Sequence, residues 1–286
     1  MPASSYRGRI APSPTGCLHL GHALTFWTAR QRAKHGLLIL RVEDLDASRC
    51  RPEFRAAIAE DLQWFGIDWQ EGPDIGGPHA PYLQSRRDYL PAWRALRDAG
   101  IIYPCACSRR DVQSALSAPH AEDHPDGDEP IYPGACRHRQ AEARDFENPA
   151  GINWRFRVPD GEEIQFHDGR RGDQSAIASR DFGDFIIWRK DNIPSYQLAV
   201  VADDAAMAIT EVVRGEDLLQ STFRQILLYR ALHLPEPAWY HCPLIRDDEG
   251  RRLAKRHESL SLRELRKSGA DPVKLRELRH PGHTMA

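Results

Sequence analysis

The sequence predicts an α/β fold built on a doubly wound parallel sheet, with an irregular segment inserted between two halves of that sheet. The first 66 residues alternate strand-like and helix-like patterns, and the chain returns to such patterns after residue 184. Between them, clustered cysteines and polar loops interrupt the alternation. Alternating strands and helices are typical of parallel sheets covered by helices. A chain of 286 residues, 41% of them apolar, can bury the core that this fold needs.

The N-terminal half contains the clearest elements. The segment "YRGRIAP" predicts a short strand that ends before Pro12, because a residue that precedes proline avoids the helical region. A helix follows Gly21 and ends near Gly36. The apolar run 37–44 predicts a buried parallel strand that delivers its last side chains to a site at the sheet edge. Further helices are expected at 52–66 and 84–100.

The middle of the chain is predicted to form the insertion. Residues 152–168 alternate apolar and polar side chains like a β-hairpin, with a turn at Asp160 and Gly161. The stretch 120–130 has five acidic residues and two prolines, which is typical of an exposed loop. We therefore divide the chain into a first half of the sheet domain (1–102), the insertion (103–178), a second half (179–245) and a closing segment (246–286).

Composition excludes several classes of protein. No apolar run reaches the ~18 residues of a membrane span, and the N-terminus lacks the apolar segment of a signal peptide, so we expect a cytoplasmic protein without a membrane partner. Six cysteines are too few for a disulfide scaffold. The net charge of −2 does not indicate a nucleic-acid partner, but residues 251–279 hold ten Lys/Arg against four Asp/Glu. That excess can be a solvated helix face or a surface for a phosphate backbone.

The most informative stretch is "PSPTGCLHLGH", residues 12–22. Its prolines stiffen the chain, its glycines let a phosphate approach the backbone, and the following helix N-terminus favours an anion. His19 and His22 are three residues apart and can donate hydrogen bonds to that phosphate from one face. An isolated pair of this kind is more often a capped helix with two surface histidines. The complete stretch favours a phosphate site.

This stretch resembles the ATP-binding signature of the class I aminoacyl-tRNA synthetases, in its glutamyl form. The segments "RVEDLDASR", "YQLAVVADD", "EVVRGEDLLQSTFRQ" and "RRLAKR" follow in the order and spacing of that family. The resemblance implies a Rossmann-type catalytic domain that binds glutamate, ATP and Mg²⁺. The chain ends about thirty residues after the last motif, without the helical anticodon-binding region of a full glutamyl enzyme. We therefore expect a truncated branch of the family, which transfers glutamate to the queuosine base of tRNA(Asp).

Two other functions remain open on the sequence alone. An ordinary glutamyl enzyme would charge the 3′ end of a tRNA, which the absent anticodon-binding region disfavours. A catalytically inactive relative would only bind RNA or another partner, which the retained motif residues disfavour. The expected enzyme is a monomer whose partners are ATP, glutamate and tRNA(Asp) bearing queuosine.

Recognition of glutamate requires donors for two carboxylates and an acid for the ammonium group. The resemblance assigns Arg9 and Arg214 as the cations, Glu43 as the acid and Tyr196 as a phenolic donor. Taken alone, Arg9 and Glu43 would more often be an ion pair at a sheet edge, and Tyr196 a core residue. The resemblance adds a backbone lining from Ala11, Pro12 and Ser13.

The resemblance assigns ATP binding to His19, Gly21, His22 and Lys255, of which the histidines and the lysine are the catalytic residues. The glutamate α-carboxylate attacks the α-phosphorus of ATP, so positioning and charge neutralisation determine the rate. The loop "RRLAKR" resembles the family's Lys-Met-Ser-Lys-Ser loop with two departures. Arg252 replaces the first lysine and Ala254 replaces a serine, whereas Lys255 keeps the second lysine.

Three cysteines form an incomplete tetrahedral set for zinc: Cys105, Cys107 and Cys136. Tyr132 or His138 could complete it. Chemistry alone favours the histidine, because a phenol with a pKa of about 10 must lose its proton to the metal. The family pattern implies Tyr132, and we expect one Zn²⁺ per chain on that set. Three reduced structural cysteines are the alternative.

Overall fold

The computed structural model describes residues 6–108, 111, 131–245 and 261–277. Its strands are β1 (Arg7–Ile10), β2 (Leu37–Leu40), β3 (Ile102–Cys105), β4 (Asn153–Phe156), β5 (Glu163–Asp168), β6 (Gly172–Ile177), β7 (Phe185–Trp188), β8 (Glu211–Gly215) and β9 (Ala238–Cys242). Its α-helices are α1 (Leu20–Arg32), α2 (Pro52–Trp64), α3 (Leu90–Asp98), α4 (Tyr196–Ala206), α5 (Leu219–Ala231), α6 (Leu262–Lys267) and α7 (Pro272–Glu277). Short 3₁₀ turns cover Gln84–Arg86, Arg137–Asp145 and Glu216–Leu218.

Parallel strands lie where the sequence predicts them. Strand β1 pairs in parallel with β2, and β8 pairs in parallel with β9. The backbone N–H of Thr210, just before β8, donates to the carbonyl of Arg7 at 2.9 Å and connects the two pairs. With the helices between these strands, this arrangement is consistent with the predicted Rossmann-type α/β fold.

The predicted hairpin over 152–168 is wrong. Strand β4 lies between β3 and β7 in an antiparallel sheet, whereas β5 pairs with β6 and, at Asp168, with β9. Alternation identifies a strand and its buried face, but it does not identify the neighbouring strand. Each of these two sheets therefore combines strands from the predicted insertion with strands from the predicted second half of the domain. The domain boundaries placed at residues 102 and 178 stay predictions.

The helix expected at 84–100 begins later than its pattern indicated. The chain first forms the 3₁₀ turn Gln84–Arg86, and α3 starts at Leu90. Pro91 lies in the first turn of α3, where its missing N–H costs nothing. The carboxylate of Asp88 accepts the N–H of Leu90 at 2.9 Å and sets the start of the helix.

Two apolar clusters hold the elements together. One packs α3, α4 and α5 against the antiparallel sheet, with the rings of Trp93 and Trp154 edge to face at 4.9 Å. The other packs α1 and α2 on the β1–β2 pair and includes Leu262 of α6, which is fully buried. Burial of one such leucine stabilises a fold by about 1.5–3 kcal/mol. Among the described residues, no helix is long and apolar enough to span a membrane.

Candidate functional site

A cavity of about 660 Å³ lies where β1, β2 and β8 end. Carboxyl ends of parallel strands meet at one edge of a sheet, so the residues that follow β1 and β2 come together with the last residues of β8. The predicted residues that line it are Arg9, Ala11, Pro12, Ser13, His19, Gly21, His22, Glu43, Tyr196 and Arg214. Lys255, with Arg252 and Ala254, lies outside the described residues.

The signature histidines stand at the start of α1. His19 is the N-cap residue and His22 lies in the first turn, with 6.0 Å between their ring centroids. The first turn contains no acidic residue, so no side chain of that turn offsets the partial positive charge of the helix N-terminus. His22 also stacks on Phe26, with 6.4 Å between ring centroids.

The chain segment that follows the predicted ATP loop is joined to this signature. Ser261 forms an antiparallel bridge with His19, and the N–H of Leu262 donates to the carbonyl of Leu18 at 2.7 Å. The hydroxyl of Ser261 caps α6 by accepting the N–H of Glu264 at 3.3 Å. The segment that begins at Ser261 is thereby fixed beside His19.

Arg9 and Glu43 belong to one buried charge network, which connects them through ion pairs of Asp204 and Arg41. Arg9 donates from Nη1 to the carbonyl of Val213 at 2.9 Å, and its Nε lies 3.4 Å from a carboxylate oxygen of Asp204. The Glu43 side chain is 10% exposed and lies 3.1 Å from Nη2 of Arg41. Burial raises the pKa of Glu43, and the nearby arginines oppose that shift. The cavity therefore presents an acid that lacks full solvation and would gain from a further cationic partner besides Arg41.

Asp203 and Asp204 of α4 support the site, although their motif "YQLAVVADD" predicted no role for them. Nη1 of Arg41 donates to a carboxylate oxygen of Asp204 at 2.5 Å, and Nε of Arg87 lies 2.5 Å from a carboxylate oxygen of Asp203. Both are essentially buried, and burial raises the pKa of Asp203. Two adjacent acids inside an otherwise apolar helix were the available signal, because buried carboxylates require cationic partners.

Arg214 is held at the cavity by uncharged groups. Its Nη1 donates to the amide oxygen of Gln225 at 2.8 Å, and its Nη2 donates to the hydroxyl of Thr222 at 2.6 Å. Its Nε lies 3.2 Å from Nε2 of His241. Burial lowers the pKa of Arg214, an effect that the nearby Tyr196 opposes. Among the described residues, no carboxylate lies within ion-pair distance of Arg214, and a buried guanidinium in that situation is suited to binding a carboxylate from a ligand.

The predicted zinc residues also come together. The thiol sulfurs of Cys105, Cys107 and Cys136 lie within 4.8 Å of one another, and the last two are 3.6 Å apart. Tetrahedral zinc with Zn–S bonds of about 2.3 Å places sulfurs about 3.8 Å apart, so the cluster has the required size. The Tyr132 hydroxyl lies 3.5 and 3.3 Å from the Cys105 and Cys107 sulfurs. His138 is exposed and is not part of the group.

Arg155 supports this cluster from outside. Its Nε lies 3.3 Å from the Cys105 sulfur, and its guanidinium lies 3.8 Å from the centre of the Tyr132 ring. Burial raises the pKa of the Cys107 thiol to about 11. Burial also opposes ionisation of Cys136, but hydrogen bonds, that of Tyr132 foremost, lower the pKa of its thiol. A bound cation would favour the thiolate form of all three cysteines, so the donor set fits a zinc ion.

Comparison with known proteins gives a consistent result. A sequence model of the family described as "tRNA synthetases class I (E and Q), catalytic domain" matches residues 5–285. Two relatives named glutamyl-Q tRNA(Asp) synthetase, from Nitratidesulfovibrio vulgaris and Symbiobacterium thermophilum, are each 47% identical to this chain. These matches cover 92% and 93% of this chain and 82% of each relative. A glutamate–tRNA ligase 2 from Acidithiobacillus ferrooxidans is 44% identical, over 97% of this chain and 58% of that protein.

Solved structures show the same similarity. A glutamate tRNA ligase from Elizabethkingia meningosepticum, in complex with its amino acid, matches with a TM-score of 0.74 and 31% identity. That match covers 93% of this chain and 53% of the ligase chain. A glutamate-tRNA synthetase from Elizabethkingia anophelis matches with a TM-score of 0.76 and 29% identity, over 99% of this chain and 58% of its own.

Proposed function

This chain belongs to the class I tRNA synthetases for glutamate and glutamine, and from that premise we propose that it activates glutamate with ATP and transfers it to the queuosine base in the anticodon of tRNA(Asp). One observation carries the proposal: a single cavity gathers two buried arginines, a carboxylate and the two signature histidines. The acceptor is supported by the names of two relatives that are 47% identical to this chain.

Glutamate binding follows from the charges around the cavity. The substrate ammonium would pair with Glu43, and its two carboxylates would bind the guanidinium groups of Arg9 and Arg214. The charge of Arg9 is partly offset by Asp204, whereas the acceptors around Arg214 are neutral. Arg214 is therefore the stronger of the two anchors. Tyr196 borders the cavity and would add its hydroxyl, and the backbone of residues 11–13 would line the remaining wall.

Activation would take place at the start of α1. An α-carboxylate oxygen of glutamate bonds to the α-phosphorus of ATP, and the bond to the bridging oxygen breaks to release pyrophosphate. His19 and His22 would stabilise the charge that develops on the phosphates, and Lys255 would contribute a further cation. Open space beside the α-carbon of Gly21 leaves room for the nucleotide. ATP would bind as its Mg²⁺ complex, which neutralises the leaving group.

Transfer would use the glutamyl-adenylate formed in this step, a mixed anhydride. Queuosine carries a cyclopentene diol, which resembles the ribose diol that a synthetase acylates at a tRNA 3′ end. A hydroxyl of that diol would attack the carbonyl carbon of glutamyl-adenylate and release AMP. Recognition of a base that protrudes from an anticodon loop is a common mode of RNA binding.

The cysteine cluster has a structural role in this proposal. Cys105, Cys107, Tyr132 and Cys136 would hold one Zn²⁺, which joins the end of β3 to the turn Arg137–Asp145. A structural zinc of this kind contributes folding free energy and takes no part in activation.

The acceptor is tested by transfer of labelled glutamate to tRNA(Asp) prepared with and without queuosine. We expect label only on the queuosine-containing tRNA, at the modified base. Unmodified tRNA(Asp) and tRNA(Glu) are the controls. Label on a terminal adenosine would instead favour 3′-end charging, the activity that the name of the 44% identical ligase indicates. No transfer to any tRNA, with activation intact, would contradict the acceptor assignment alone.

A further inference from the structure

A fully buried histidine contacts the guanidinium of Arg214 from behind the cavity. His241 lies on β9 opposite Arg214 of β8, and its side chain is 0% exposed. Its Nε2 lies 3.2 Å from Nε of Arg214 and 3.0 Å from the hydroxyl of Thr222. No motif directed attention to this histidine, because its importance arises from strand pairing rather than sequence spacing.

Asp168 determines which nitrogen of that ring carries the proton. One of its carboxylate oxygens lies 2.6 Å from Nδ1 of His241 and accepts the His241 backbone N–H at 3.0 Å. The other oxygen accepts the backbone N–H groups of Arg170 and Arg171 at 3.0 and 2.8 Å. An ionised carboxylate only accepts hydrogen bonds, so Nδ1 must carry the hydrogen and Nε2 must present its lone pair.

The electrostatics keep the pair in these states. Burial alone would raise the pKa of Asp168. The hydrogen bonds from His241, Arg170 and Arg171 outweigh burial and lower that pKa. Burial, together with the charges of Arg214 and Arg171, lowers the pKa of His241, although the Asp168 carboxylate opposes the shift. The imidazole is therefore neutral at neutral pH, and it accepts a hydrogen bond from Arg214 without neutralising its charge.

We propose that Asp168 and His241 are positioning residues for glutamate capture: Asp168 fixes the tautomer of His241, and His241 orients the guanidinium of Arg214 toward the cavity. The inference rests on the proposed function, which assigns Arg214 to a substrate carboxylate. Neutral acceptors occupy three of the five N–H groups of Arg214, at Nε, Nη1 and Nη2. The guanidinium therefore keeps its positive charge, and its remaining N–H groups can donate to the ligand.

Two substitutions of His241 separate positioning from simple packing. His241→Gln places an amide oxygen near the position of Nε2 and can still accept from Arg214. His241→Asn places its amide near Nδ1, can donate to Asp168, and leaves Arg214 without that acceptor. We expect the KM for glutamate in pyrophosphate exchange to rise about 10- to 100-fold in the Asn variant and about threefold or less in the Gln variant. The KM for ATP and the thermal unfolding midpoints of the two variants are the controls.

Asp168→Asn provides a second test without changing any cavity residue. Its amide NH₂ would face Nδ1 of His241 and favour the tautomer with hydrogen on Nε2, which then opposes the N–H of Arg214. We expect its KM for glutamate to rise as in His241→Asn. Equal KM values for glutamate in the Gln and Asn variants of His241 would overturn the proposal.

The ¹⁵N chemical shifts of the His241 ring in the unmodified protein provide a test that does not depend on folding of variants. We expect a protonated Nδ1 and an unprotonated Nε2, and the reverse assignment would overturn the proposal. A failure of the unmodified protein to exchange pyrophosphate with glutamate would contradict the proposed function instead. The tautomer of the His241 imidazole would still test whether Asp168 fixes the position of its proton.

Discussion

Two buried arginines beside the cavity have opposite surroundings. Arg41 is fully buried and lies within 4 Å of carboxylate oxygens of Glu43, Asp203 and Asp204. Arg214 is almost as buried, but its acceptors in the described chain are an imidazole, a hydroxyl and an amide. Since an unpaired buried charge is costly, these contacts make Arg41 a structural cation and support the proposed role of Arg214 as a cation for a ligand carboxylate.

Glu43→Gln is expected to remove glutamate capture without destabilising the fold. Because burial raises the pKa of Glu43, the folded protein takes up a proton at higher pH than the unfolded chain does. The ionised Glu43 carboxylate therefore lowers the stability of the fold at neutral pH. When Glu43 is replaced, Arg41 still has the carboxylates of Asp203 and Asp204 as partners. We expect the free energy of unfolding at pH 7 to stay equal or increase, and the KM for glutamate to rise about 100-fold.

The pH dependence provides the control for this prediction. The stability difference between Glu43→Gln and the unmodified protein should shrink as pH falls through the pKa of Glu43. Protonation of Glu43 neutralises the buried carboxylate, as the substitution by glutamine does. Denaturant unfolding at pH 7 and at pH 4.5–5 measures it. A marked loss of stability at pH 7 would mean that Glu43 serves the fold rather than the ligand.

The elements differ in how far the sequence predicts them. Strands β1, β2 and β8 were predictable because each ends in residues of a recognisable motif, and parallel strands bring those ends to one edge. The partners of β4, β5 and β7 were not, since alternation contains no information on which strand lies alongside. His241 and Asp168 were missed for the same reason, because pairing of β9 with β8 and β5 brings them together.

The structure of the predicted insertion supports a separate prediction about the fourth zinc ligand. Tyr132 is buried beside the three thiols, and its hydroxyl also accepts the N–H of Cys136 at 3.0 Å, whereas His138 is exposed. We expect one Zn²⁺ per chain by metal analysis of the purified protein. Tyr132→Phe should lower zinc affinity, and the matched change His138→Ala should leave it unchanged. Loss of zinc only in the His138 variant would reverse the assignment, and a protein without stoichiometric zinc would contradict the site itself.

At the scale of the whole molecule, the predicted family is confirmed, and the described part of the predicted site converges on one cavity. Motif order along 286 residues identified the family, because several ordered motifs together are far more specific than any one of them. Motif order could not predict the buried residues that hold the site arginines in place. Asp204 and Gln225 lie inside motifs, but the motifs do not show what they contact. The contact of Asp204 with Arg9 and that of Gln225 with Arg214 depend on the packing of α4 and α5.

Convergence of the proposed glutamate-binding groups in one cavity predicts activation without tRNA. Arg9, Glu43 and Arg214 are already oriented by protein contacts, through Val213, Arg41 and Thr222 among others. A preorganised site of this kind does not require RNA to complete it. We expect pyrophosphate exchange with glutamate, ATP and Mg²⁺ alone, and little or none with glutamine or aspartate. Glutamine lacks the second negative charge, and aspartate is one methylene too short to reach both arginines. Exchange that begins only when tRNA is added would show instead that RNA binding assembles the site.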